Sequence, residues 1–453
     1  MSKKVPIVAI VGRANVGKSS LFNAVLQRRE AIVANEPGTT RDSIMAKASF
    51  GERDFWLVDT AGMKSPEDDF EFTIQEQILQ AADSADVIWV VIEANLQLTE
   101  EDRRVAKLAL KTQKPVFLVV NKADKAYRAK ATQFQGLGIK TIIMTSATQN
   151  SGIEELLEKL GQVIPEATIN EADDRLRIAL LGRPNVGKSH LFNTLAKKQQ
   201  AIVADVAGTT RDINRTIVKF KGREIELLDT AGIRRSGKIG KGIEHFSVIR
   251  TLSAIEQADI CFMLMDVNEV GTQLDQKIAG MVKEAGKGLV LVISKWDSLE
   301  DKDPYSRDQI AARLRTEFAF LPWAPLVFTS SVSGQNVAKL FDLALEIDER
   351  RNQKIRTVEL NRWLRQIVND HPPAGLKNRN PKLNYIVQED DNPNPSFKVF
   401  GAHTKFLHWS YKRYMDRTMR EKWDYTGSPI KFWYIEKHET HPRKSRWDPS
   451  APK

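Results

Sequence analysis

Gly12–Asn23 reads GRANVGKSSLFN, and 170 positions later Gly182–Asn193 reads GRPNVGKSHLFN. Both carry the spacing G-x-x-x-x-G-K-S. Each follows a short apolar run, PIVAIVG or LRIALLG, and precedes a helix-compatible segment. A glycine turn capping a helix also matches the bare pattern, but a strand before it and a helix after it, in both copies, favour a phosphate-binding loop. In such a loop, backbone N–H groups and the helix N-terminus surround the anion. The candidate nucleotide-binding residues are Gly12, Arg13, Ala14, Asn15, Val16 and Gly17 with Lys18 and Ser19. Their counterparts are Gly182, Arg183, Pro184, Asn185, Val186 and Gly187 with Lys188 and Ser189. Lys18 and Lys188 supply a cation to the β- and γ-phosphates, and Ser19 and Ser189 offer a hydroxyl to Mg²⁺.

The repeat extends beyond the loops. AIVANEPGTTRD (Ala31–Asp42) recurs as AIVADVAGTTRD (Ala201–Asp212), and DTAG recurs at Asp59–Gly62 and Asp229–Gly232. NKAD (Asn121–Asp124) recurs as SKWD (Ser294–Asp297), now 173 positions apart. Copies this long indicate a duplicated domain rather than a solenoid. Short apolar runs such as DVIWVVIE, PVFLVVN and GLVLVIS alternate with helix-compatible segments, which predicts mostly parallel sheets with helices on both faces. KASFGERDFWLVD and KFKGREIELLD are predicted hairpins that add an antiparallel edge. The motifs then fall at the C-terminal ends of strands, where open α/β sheets bind ligands.

Asp59 and Asp229 each end a strand, as the metal-side aspartate of a phosphate-loop enzyme does. Thr60, Ala61, Gly62 and Met63 complete the first segment, and Thr230, Ala231, Gly232 and Ile233 the second. Gly62 and Gly232 place an N–H near a γ-phosphate without a side chain in the way. A carboxylate accepts from both N1–H and the 2-amino group of guanine, a pair adenine lacks, so Asp124 and Asp297 are the expected base selectors. Lys122 and Lys295 lie along the base. Ser146 and Ala147 of TSA, and Ser330 and Ser331 of TSS, form the far rim, and Asn121 is expected to tie its own loop to the phosphate loop and touch the base. Ser294 replaces that asparagine in the second copy. Losing one net hydrogen bond costs about 0.5–1.5 kcal/mol, a roughly three- to tenfold loss of affinity. His190, past the Mg²⁺ hydroxyl, reads as helix surface or packing rather than as a metal ligand.

The chain has 453 residues, enough for roughly three domains. Its lone cysteine, Cys261, sits in an apolar run and is expected to be buried and inert. The N-terminal apolar run leads into a glycine loop rather than a cleavage site, and no run reaches a membrane span, so a cytoplasmic protein is expected. The net charge of +10 is uneven: residues 351–453 hold 21 Lys and Arg against 11 Asp and Glu, leaving 47 of each elsewhere. Five of nine tryptophans also lie there. A basic, aromatic-rich end points to a polyanionic partner. The expected organisation is a first nucleotide domain at 1–163, an acidic linker at 164–174, a second nucleotide domain at 175–352, a smaller domain at 353–438 and a basic tail at 439–453.

Two GKS/TTRD/DTAG/[NS]KxD cassettes followed by a basic domain resemble the Der (EngA) family of tandem GTPases, over roughly residues 5 to 440. FSVIRTLSAIEQAD (Phe246–Asp259) and the Ser410–Phe432 region belong to the same likeness. The resemblance implies two GTPase domains and an α+β KH-like domain, a monomer cycling between GDP and GTP forms, and a role with rRNA in late assembly of the large (50S) ribosomal subunit. It also implies Thr40 and Thr210 as switch threonines closing on Mg²⁺. Met63 and Ile233 occupy the position where many related switches place a water-orienting glutamine, so intrinsic hydrolysis is expected to be slow. K⁺ is the implied aid, with Asn15 and Asn185 as its ligands; a turn-capping asparagine is the alternative.

In the last domain VELNRWLRQIVND, KLNYIVQ, SFKVFG, a basic amphipathic helix and SPIKFWYIEK give the order helix–strand–strand–helix–strand of a KH-like fold. No G-x-x-G occurs, so Lys405, Lys412, Arg413, Arg417 and Arg420 are expected on phosphates of folded RNA rather than in a single-strand clamp. Two other readings are a tRNA-modification-type GTPase, disfavoured by two cassettes and no C-terminal cysteine motif, and an RNA-binding scaffold holding GTP structurally in its second domain.

Overall fold

The computed structural model describes residues 5–26, 45–51, 53–59, 85–94, 97–125, 131–164, 175–198, 214–229, 248–299, 302–376, 379–389, 392 and 394–436. The candidate switch threonines Thr40 and Thr210, most of the expected linker and the expected basic tail lie outside them. In the first domain the strands are β1 (Ile7–Val11), β2 (Met45–Phe50), β3 (Arg53–Asp59), β4 (Val87–Glu93), β5 (Val116–Asn121) and β6 (Thr141–Met144). They form a sheet in the order β2-β3-β1-β4-β5-β6. Only β2 runs antiparallel, against β3, as the hairpin pattern predicted. Helices α1 (Lys18–Leu26), α2 (Glu100–Leu110) and α3 (Ile153–Val163) cover it. Six of seven residues of β4 are fully buried, because helices pack on both faces of a parallel sheet.

The second domain repeats the plan. Its strands are β7 (Leu176–Gly182), β8 (Asn214–Phe220), β9 (Arg223–Asp229), β10 (Ile260–Asp266), β11 (Gly288–Ser294) and β12 (Leu326–Phe328), ordered β12-β11-β10-β7-β9-β8. The β8–β9 hairpin turns through Lys221 and Gly222, with φ of 47° and 80°. Two successive left-handed residues match the right-handed twist of the strands they join. Helices α4 (Lys188–Lys198), α5 (Val248–Gln257), α6 (Gln273–Glu284), α7 (Ser306–Glu317) and α8 (Val337–Arg351) complete the domain. Cys261 is fully buried on β10, as expected.

Residues Met1–Asp348 form one compact unit and Glu349–Lys453 another. In the second unit, α9 (Thr357–Asp370), β13 (Lys382–Gln388), β14 (Ser396–Ala402), α10 (Trp409–Lys422) and β15 (Lys431–Glu436) follow the predicted order. β13 pairs antiparallel and β15 parallel with β14. Its core gathers Trp363, Phe397, Tyr411 and Tyr425. Among the described residues no helix is long and apolar enough to cross a membrane.

Within the first unit the two nucleotide domains share one apolar core, joining Ile7, Ala9 and Ile88 to Ile249, Leu252 and Met263. At their junction the Trp56 indole Nε1 on β3 donates to Glu256 Oε1 on α5 at 2.5 Å, and both residues are buried. Trp56→Phe strands a buried carboxylate, which costs about 1–3 kcal/mol. A lowered midpoint of chemical unfolding is therefore expected, largely recovered in the Trp56→Phe/Glu256→Met double variant, where neither polar group remains.

Candidate nucleotide-binding sites

Each phosphate loop runs from the end of a sheet strand into a helix, β1 to α1 and β7 to α4. Gly12, at φ 153°, could not carry a side chain: an added Cβ would lie 2.4 Å from the Val91 carbonyl oxygen. Asn15 and Asn185 both adopt the left-handed region, at φ 64° and 63°. Asparagine tolerates that region better than most residues, which gives it a backbone role in addition to any ligand role. Both asparagines are exposed. Their side-chain amides have no hydrogen-bond partner among the described residues.

The lysines are held from behind. Lys18 Nζ donates to the carbonyls of Gly12 and Arg13 at 2.7 and 2.6 Å. Lys188 Nζ donates to those of Gly182 and Arg183 at 2.9 and 2.5 Å. Burial lowers the Lys18 pKa, opposed by the Asp59 carboxylate. Ser19 Oγ donates to Asp59 Oδ2 at 2.6 Å, so the two candidate Mg²⁺ groups of the first domain converge. A hydroxyl and a carboxylate suit Mg²⁺, which takes few protein ligands and completes its shell with water and phosphate oxygens. His190 is exposed on α4, as expected.

The base side differs between the domains. Asn121 Nδ2 donates to the Val16 carbonyl at 3.1 Å. Its Oδ1 accepts from Ala147 N at 3.2 Å and Thr145 Oγ1 at 3.3 Å, tying loop to rim. Ser294 Oγ reaches the Val186 carbonyl at 2.6 Å, so it keeps the loop half of the tie. Its other contact is the Met265 carbonyl at 3.0 Å, on its own sheet, so the rim half is absent. Ser146 Oγ donates to Asp124 Oδ1 at 2.6 Å, orienting the candidate base selector. Lys122 Nζ bridges the Asn15 carbonyl at 2.8 Å and Glu93 at 3.0 Å, while Lys295 pairs with Asp266 at 2.7 Å.

Thr60, Ala61, Gly62 and Met63, with Thr230, Ala231, Gly232 and Ile233, lie outside the described residues, as do Thr40 and Thr210. Two aspartates that the motif reading passed over lie beside the loops. Arg13 Nε pairs with Asp102 at 3.2 Å and Arg183 Nε with Asp275 at 3.1 Å. The signal was present as T-x-x-D, Thr99–Asp102 and Thr272–Asp275, at the same 173-residue offset as the base motifs.

Residues 7–122 and 177–295 both match the family described as 50S ribosome-binding GTPase, and residues 354–434 match the KH-domain-like C-terminal part of EngA bacterial GTPase enzymes. GTPase Der of Chloroflexus aggregans is 42% identical over 435 residues, covering 94% of this chain and 96% of that protein. The Herpetosiphon aurantiacus GTPase Der is 41% identical, covering 94% and 95%. That of Lachnoclostridium phytofermentans is 40% identical, covering 97% and 100%. The chain belongs to the GTPase Der family.

It is a GTP-hydrolysing enzyme with two phosphate-loop domains and a KH-like domain. In the KH-like domain, Arg413 lies 4.7 Å over the Trp409 ring and Lys412 5.2 Å over Tyr434. Arg417 and Lys405 are exposed, paired loosely with Glu421 at 3.5 Å and Glu436 at 3.6 Å. Arg420 departs from the expectation for this set. It is half-buried and brings Nε to Asp416 at 3.0 Å and Nη1 to the Tyr425 and Ser428 carbonyls. Those donors brace the domain, leaving Arg420 poorly placed for phosphate.

Ser294→Asn supplies a carbonyl for the second rim. It is expected to tighten GDP at that site roughly three- to tenfold. Fluorescent-GDP titration with the first site disabled by Asp124→Asn reads this directly, and unchanged affinity would mean that the rim tie is energetically idle.

Proposed function

We propose that this GTPase is a two-site switch that binds ribosomal RNA and assists late assembly of the large ribosomal subunit as a cytoplasmic monomer. The observation carrying this reading is the joining of two nucleotide frameworks to a KH-like domain whose outer helix presents cations over aromatic rings. The match of both nucleotide domains to the 50S ribosome-binding GTPase family supports the choice of partner. A helix bearing Lys412, Arg413 and Arg417, with Lys405 nearby, suits sequence-independent contact with phosphates of folded RNA.

At each site the loop N–H groups and Lys18 or Lys188 bind the β- and γ-phosphates. Arg13, Ala14 and Val16, with Arg183, Pro184 and Val186, contribute backbone. Ser19 with Asp59, and Ser189 with Asp229, hold Mg²⁺, joined in the GTP form by Thr40 and Thr210. Bound there, Mg²⁺ offsets charge on the phosphate oxygens. Asn15 and Asn185 ligate K⁺ in this reading, which their exposed amides, without a hydrogen-bond partner among the described residues, support. Gly62 and Gly232 meet the γ-phosphate by N–H. Met63 and Ile233 cannot orient water, which keeps intrinsic turnover slow. Asp124 and Asp297 select guanine, aided by Lys122 and Lys295 and by the rims at Ser146, Ala147, Ser330 and Ser331.

The Ser294 contact with the Val186 carbonyl supports nucleotide binding in the second domain, and turnover there separates an enzyme from a structural holder of GTP. Sedimentation with large ribosomal subunits at moderate salt tests the whole reading. Binding is expected with a non-hydrolysable GTP analogue, weaker binding with GDP, and loss in Asp124→Asn or Asp297→Asn. Binding that ignores nucleotide would reduce the KH-like domain to a nonspecific basic surface. Turnover is expected to rise in K⁺ over Na⁺, and to lose that dependence in Asn15→Ala and Asn185→Ala.

A further inference from the structure

We propose that Asp102 and Asp275 are positioning residues for GTP turnover, each fixing its phosphate loop through the arginine that follows the loop's first glycine. The same arrangement occurs in both domains, between residues about ninety positions apart. Asp102 is 3% exposed and Asp275 is fully buried. Each stands at the third position of its helix, and its two carboxylate oxygens are divided between two tasks. Asp102 Oδ2 accepts from Thr99 N at 3.1 Å and Thr99 Oγ1 at 2.8 Å, while Asp102 N donates to Thr99 Oγ1 at 3.1 Å. Asp275 Oδ2 accepts from Thr272 N at 3.1 Å, and Asp275 N donates to Thr272 Oγ1 at 3.3 Å. These capping boxes satisfy the helix ends with one oxygen. The other oxygen, Oδ1, faces the loop arginine.

A cap alone needs neither burial nor an arginine from the other end of the domain. What the arginine adds is its own carbonyl, which accepts from the phosphate lysine in both loops. The anchored helix start thus holds the aspartate, the aspartate holds the arginine, and the arginine's peptide holds the ammonium. An ammonium has three donors. Two of those on Lys18 go to the Gly12 and Arg13 carbonyls, leaving one for phosphate. Preorganisation of this kind lowers the cost of stabilising charge in the transition state.

The two loops are not held equally. Arg183 also reaches Glu269 Oε2 from Nη1 at 2.8 Å and the Glu269 carbonyl from Nη2 at 2.6 Å. At the matching sequence position the first domain has Leu96, and Arg13 Nη2 is buried without a partner among the described residues. Among the described residues, Asp102 is therefore the one carboxylate paired with Arg13.

The inference rests on assigning Lys18 and Lys188 to the phosphates, so Lys18→Ala is included as a control. The full-length enzyme, with the second site disabled by Asp297→Asn, is assayed for kcat and KM with GTP and for its unfolding midpoint. Asp102→Asn and Arg13→Gln are each expected to lower first-site kcat between about tenfold and a hundredfold, with KM changed less. The double variant should lose no more than either single one. Thr99→Ala removes the hydroxyl bonds of the cap but keeps the main-chain N–H that holds Asp102 Oδ2, so it should lower the unfolding midpoint with a much smaller effect on kcat. In the second domain, read with Asp124→Asn, Asp275→Asn should cost less because Glu269 still holds Arg183. Full turnover in Asp102→Asn with only a lowered midpoint would overturn the proposal, as would a loss confined to Arg13→Gln. Undiminished turnover in Lys18→Ala would instead overturn the phosphate assignment.

Discussion

The structure depends on a loop that must offer its main-chain N–H groups to an anion and so cannot use them to hold itself in place. In a planar trans peptide the C=O points opposite to the N–H, so a loop with donors turned inward has acceptors turned outward. Those outward carbonyls are where the first domain grips its loop. Gly12 and Arg13 accept from Lys18, Asn15 accepts from Lys122, and Val16 accepts from Asn121. The grip comes from the loop's own helix and from the end of β5, so phosphate and base motifs form one body. Gly17 shows how close the approach is: an added Cβ would lie 2.4 Å from Asn121 Nδ2.

The second domain distributes the same holding differently. Ser294 keeps the loop contact that Asn121 makes but not the rim contact, and at Gly187 an added Cβ would have the Lys295 Cε, 4.0 Å away, as its nearest neighbour. On the phosphate side the balance reverses, since among the described residues Arg183 has two carboxylates where Arg13 has one. Burial raises the Asp275 carboxyl pKa even beside that guanidinium, a measure of how far the pair is removed from water. Duplication has therefore left two sites of one chemistry with rigidity placed at opposite ends: base rim in the first, phosphate loop in the second.

The strands, their parallel order, both hairpin edges and the KH-like order were legible because each is a local pattern: an apolar run, a glycine turn or a periodic helix. The phosphate and base motifs were legible because chemistry demands particular residues at short spacing. Asp102 and Asp275 were not singled out, since a T-x-x-D ahead of a helix reads fully as a cap. Nothing local says that the second carboxylate oxygen is engaged. Arg420 shows the opposite case. Its place on a basic helix resembles that of Arg413 and Arg417, and only packing shows that its fork turns inward to the Tyr425 and Ser428 carbonyls.

The hardest feature to read was the meeting of the two nucleotide domains. An acidic, proline-containing segment between duplicated cassettes suggests separate bodies, yet α5 is buried on almost every side. A helix enclosed all round belongs to a core rather than to a surface. Its polar residues then need internal partners, and Glu256 finds one in Trp56, from the other domain. Trp56 lies three residues before Asp59, and α5 opens nineteen residues after Asp229. The junction is thus built from chain close in sequence to Asp59 and Asp229, the candidate Mg²⁺ aspartates. Pulling the domains apart would expose an indole and apolar surface together and leave Glu256 without its donor. In the arrangement seen here, the two nucleotide domains share one apolar cluster and one buried hydrogen bond, so a nucleotide that shifted one domain against the other would have to offset the loss of both.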